Sequence, residues 1–149
     1  EYLSTTFHAG NDTFFEHPAI DSVPSEAVIL RDALTNPGFF GHNVLAFVWT
    51  HRLQTLMNAE QTEKALYNLT VMNRWHTFGK PPVVVEALPV DWTEEDLDEH
   101  FIRFFPDGPT NLHQITLADA LLWVWERYPD YRRLCAANIL CFTRGVSPA

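Results

Sequence analysis

The sequence predicts an all-α fold: a compact bundle of five to six helices, an irregular N-terminal arm and one extended, Pro/Val-rich crossing segment. Three observations predict it. Apolar residues recur at helical spacing in successive blocks, and capping or breaking residues bound each block. Only one stretch, residues 82–90, is enriched in β-branched residues, and nothing else offers it a sheet partner. The 149 residues are 46% hydrophobic, enough for a real core, with no internal repeat and no interdomain linker. A single helical domain spanning 1–149 is therefore expected.

Residues 1–24 show no sustained period, yet hold Tyr2, Phe7, Phe14 and Phe15; they read as an irregular arm packed on the body. Ser25 starts the first helix, with Glu26 in its first turn and Ala27, Leu30 and Leu34 on one face, and Asn36-Pro37-Gly38 ends it. The second helix runs from about Phe40 to Met57. Asn58 caps the third, with Gln61 completing a capping box, and it continues to about Phe78 before Gly79 and Lys80-Pro81-Pro82. Thr93-Glu-Glu-Asp96 opens a fourth to about Phe105, its acids complementing the helix dipole. Pro106-Asp-Gly-Pro109 is a turn. Thr116-Leu-Ala-Asp119 caps a fifth helix to Tyr128, and Pro129 separates it from a sixth that ends near Arg144 and Gly145.

Net charge is -9. That argues against nucleic acid, which needs a basic face, and against an anionic membrane surface. No secretory apolar region and no membrane-spanning apolar stretch is present, and the spacing of Cys135 and Cys141 suits neither a helical disulfide nor a zinc knuckle, so reduced thiols and a cytoplasmic location are expected. The triplets Asn11-Asp-Thr13 and Asn68-Leu-Thr70 fit the glycosylation pattern but arise readily by chance.

Seven histidines stand out: 8, 17, 42, 51, 76, 100 and 113. His42 and His51 flank the most apolar helix, and at about 100° per residue they face opposite sides of it. They are two separate problems. If helices two and three form an antiparallel hairpin about Asn58, His51 lies opposite Leu66 inside it, as a satisfied core histidine, and His42 lies opposite Trp75 and His76 at its open end. Asn43, Asn73 and Arg74 are close by in sequence. The expected site is therefore an aromatic-lined pocket with Phe39, Phe40, Trp49 and Trp75 as walls and Asn43 as a polar contact. His42, His76 and Arg74 would be its working residues. Imidazoles on facing helices hold a transition metal such as Fe or Zn when a carboxylate or third histidine joins them, and Glu16 and His17 of the arm are available. A neutral imidazole as general base, with Arg74 offsetting negative charge, is the other chemistry open.

Outside that constellation, His100 and His113 read as solvent-side residues, and Asp91 to Glu99 as a helix N-terminus rather than a calcium loop. Of Trp123 and Trp125, one belongs to the core; Asn138 needs a buried partner, a loop carbonyl or a ligand. The leading expectation is a small-molecule-binding helical protein or a histidine-dependent enzyme. The rival is an accessory subunit that binds a protein partner through Phe101, Phe104 and Phe105.

Overall fold

Helix α1 (Glu26–Thr35) starts where Ser25 turns extended and its hydroxyl accepts from the Val28 amide at 3.4 Å. The computed structural model describes residues 21–74, 84–105 and 112–144. Ile29, Leu30, Ala33 and Leu34 of α1 are buried on one face, and the helix stops at Asn36 before Pro37. A 3-10 turn (Phe39–Gly41) leads into α2 (His42–Leu53), and a second (Gln54–Leu56) follows it. Helix α3 (Ala59–Arg74) carries the expected capping box: the Asn58 amide donates to Gln61 Oε1 at 3.0 Å, and the Gln61 amide to Asn58 Oδ1 at 2.8 Å. Helix α4 (Glu94–Phe104) carries another, between Thr93 and Asp96, whose bonds hold the Asp96 carboxyl below its ordinary pKa. Helix α5 (Leu112–Arg127), a 3-10 turn (Pro129–Tyr131) and α6 (Arg132–Arg144) complete the series.

Six α-helices and no strand occur among the described residues, an all-α bundle. One cluster of buried side chains draws on all six helices, with Phe47, Trp125, Leu121 and Ile139 among its largest members. Helix α2 packs on α1, α3 and α5, and is apolar around most of its circumference for that reason. Residues 84–88 cross the bundle without becoming a strand. The Val85 amide bonds Thr35 O at 2.7 Å, and the Leu88 amide bonds Arg133 O at 3.2 Å. Arg133 then grips Asp91 at 2.6 and 2.9 Å.

Two expectations need correction. Helix α5 begins at Leu112, one turn before Thr116. The Thr116 hydroxyl does not cap; it donates back to Leu112 O at 3.0 Å, which lets threonine sit inside a helix. The α2–α3 hairpin also leaves the first turns of α3 exposed. In α3 the fully buried residues are Leu69, Thr70, Val71 and Asn73, with Leu66 partly buried against the core, so α3 meets the bundle mainly through its second half. Whether α3 continues to Phe78 lies outside the described residues.

No helix among the described residues is long and apolar enough to cross a membrane. Both cysteines are free, and burial pushes the Cys135 thiol up to about 12.

Candidate functional site

The chain reverses between α1 and α2 through Pro37-Gly38-Phe39-Phe40-Gly41. Gly38 and Gly41 take φ +70° and +74°, and Phe40 between them takes φ +50° and ψ +30°. Gly41 is required twice over. Its φ lies in the left-handed region, and an added Cβ would stand 2.4 Å from Leu117 Cδ1 of α5. Phe40 has no such licence: a left-handed conformation costs a non-glycine residue about 1–2 kcal/mol.

That conformation delivers the ring to the surface. Phe40 is 41% exposed and stacks on His113 of α5, with centroids 4.9 Å apart and planes 17° apart. Phe39 meets Phe40 edge-on at 4.4 Å. His42 lies 5.7 Å from Phe39 and 5.7 Å from His113. The His42 imidazole is half-buried, and burial first, then the neighbouring His113, lowers its pKa from the ordinary 6.5. At neutral pH it therefore carries one donor and one acceptor rather than a charge.

Of the residues expected from sequence, the structure brings Phe39, Phe40 and His42 together. His113 joins them, although sequence placed it only on the solvent side. It is exposed, but it sits one turn before Leu117 on the same face of α5, and Leu117 is what packs on Gly41. With α5 read from Leu112, that spacing is a usable signal.

Asn43 is buried and its amide holds the fold. Its Nδ2 donates to Asn36 O at 2.7 Å, Asn36 Nδ2 donates to Asn73 O at 2.8 Å, and Asn73 Nδ2 donates to Ile29 O at 2.9 Å. This relay joins the end of α1, the start of α2 and the end of α3, with Asn43 Oδ1 buried and unpartnered. The same relay places Arg74, which is exposed, at the His42 end of the bundle. Trp49 lies two turns along α2, 47% exposed, under the Arg52 guanidinium at 4.9 Å; it does not line the turn. Trp75, His76, Glu16 and His17 lie outside the described residues. Among the described residues, no three His, Cys, Asp or Glu side chains gather as a metal-holding group.

His51 occupies a different place from the one expected. It sits between α1 and α5, its Nδ1 3.5 Å from Glu26 Oε2, its ring edge-on to Trp123 at 5.1 Å and stacked on Phe47 at 6.2 Å. Nδ1 is buried without a hydrogen bond, so the expectation of a satisfied core bond fails. Glu26 Oε1 instead accepts from Gln54 Nε2 at 2.7 Å. Tyr128 packs on Trp123 at 5.9 Å, and burial, then Glu26, raises its phenol pKa.

The remaining candidates resolve as packing. His100 stacks on Trp92 at 4.3 Å, with Nδ1 2.8 Å from Asp96 O. Trp123 and Trp125 are both buried, and Trp125 Nε1 donates to Glu94 at 3.2 Å. Asn138 donates to Leu34 O and Leu134 O, both at 2.9 Å, so a carbonyl near the end of α1 is its partner. Phe101 and Phe105 pack partly buried against the core, and the Phe104 side chain lies outside the described set.

Comparison of the chain with protein-family models, with curated proteins and with solved structures gives no match, so the functional reading rests on this geometry.

Proposed function

We propose that the protein binds a small planar or apolar molecule at the turn into α2, with Phe40 as stacking surface and His42 as polar working group. One observation supports the reading above the rest: Phe40 holds φ +50° while the residue stays 41% exposed. Gly38 and Gly41 already make the reversal, so an aromatic ring there serves neither the core nor the turn. Strained backbone of this kind gathers at binding sites, where surrounding structure over-determines it. A ring nitrogen or hydroxyl on the ligand suits a neutral imidazole that can either donate or accept. In an enzyme, the same imidazole takes a proton from bound substrate as general base, with Arg74 at that end of the bundle to offset negative charge.

The test is saturation-transfer NMR with indole, benzimidazole and 2-naphthol. Phe40→Gly removes strain and ring together. The expected outcome is binding by the native chain, at least about tenfold weaker in the variant, with stability within about 1 kcal/mol of the native protein. Equal binding by Phe40→Gly, or none by the native chain, would contradict the reading.

A further inference from the structure

A second feature lies along the outer side of α2 and α5. On α2 and the 3-10 turn after it, Trp49, Leu53 and Leu56 are 47%, 45% and 80% exposed. On α5, Leu112, Ile115 and Leu122 are 71%, 42% and 40% exposed. Each set follows helical spacing, so each forms one stripe. The helices pack side by side and run in the same direction, with Phe40 on His113 at one end and His51 on Trp123 at the other.

The stripes are joined across the seam. Arg52 reaches from α2 to Asp119 of α5 at 3.1 Å while its guanidinium covers Trp49 at 4.9 Å, and Asp119 lies between Ile115 and Leu122 on its own stripe. The six apolar side chains expose on the order of 600–700 Å², near the ~800 Å² per partner that a stable dimer buries and at or above the largest patch of an ordinary monomer.

We propose that this two-helix face is where a second copy of the chain docks. Area is the first argument. Charge is the second: in a chain of net charge -9, this face carries Arg52 and Asp119 as a balanced pair. A basic partner would find no net charge here to steer it, and two identical faces bring no net charge against each other. A two-fold interface requires such a self-complementary patch, since each contact occurs twice with roles exchanged.

Sedimentation velocity of the full chain from about 5 to 200 µM tests it, with Trp49→Glu and Leu122→Lys beside the native protein and circular dichroism to verify folding. Both positions are exposed, one on each helix. The native chain is expected to sediment at twice 17.1 kDa at the upper concentrations, and each variant to dissociate at least about 100-fold more readily. A native chain that stays monomeric throughout overturns the proposal, whether the face is bare or covered by something else. So does a folded variant that dimerises as tightly as the native chain.

Discussion

Gly41 shows how one residue ties the candidate site to the core. Its φ of +74° and the 2.4 Å approach of Leu117 to an added Cβ make alanine doubly unfavourable, since Leu117 is itself only 2% exposed. Gly41→Ala should lose about 2–4 kcal/mol in denaturant unfolding; a loss within about 0.5 kcal/mol, as at ordinary surface positions, would mean the turn is softer than drawn. His42 makes a different statement. Burial and His113 keep its folded-state pKa below the ordinary 6.5. As pH falls below about 6.5 the unfolded chain takes up this proton before the folded one, so stability is full above that value and declines as the pH drops through the window beneath it. Thermal unfolding between pH 7.5 and 5 should therefore show a steeper fall for the native chain than for His42→Gln. Parallel slopes would count against the depressed pKa.

At the scale of the element, the sequence was readable where its signals were local. Ser25, Asn58 and Thr93 announce three helix starts because each cap is made within three residues of itself. Thr116 misled for the converse reason: a hydroxyl that bonds back to Leu112 looks the same in sequence as one that caps. The side of α2 that each neighbour takes was not legible, because α2 is apolar on several sides and periodicity cannot tell which neighbour takes which. His51 was misplaced by that ambiguity, while Phe39, Phe40 and His42 lie together because they adjoin in sequence. Of the asparagine relay, Asn43 and Asn73 were visible only as nearby polar residues, and Asn36 only as part of a helix stop. The relay predicts that Asn73→Leu, which strips Ile29 O of a buried partner, costs about 1–3 kcal/mol. A neutral result in equilibrium unfolding would show that the relay does not hold α1 to α3.

On the scale of the molecule, α2 packs on α1, α3 and α5, and its two histidines lie at separate places along it. His42 meets α5 beside a strained aromatic turn; His51 meets α1 and α5 among Glu26, Trp123 and Phe47. The charge of -9 bears on solubility and partners rather than on this arrangement. Among the described residues, His42 and His113 bring two imidazoles together beside the Phe40 ring, and the working role proposed is that of a neutral imidazole and a stacking ring. The most direct measurement is a histidine-selective ¹H–¹³C NMR titration with benzimidazole. The His42 and His113 ring signals are expected to move together and saturably, while those of His51 and His100 stay in place. Signals of His42 and His113 that do not move, or a uniform drift of all the histidines, would contradict that role.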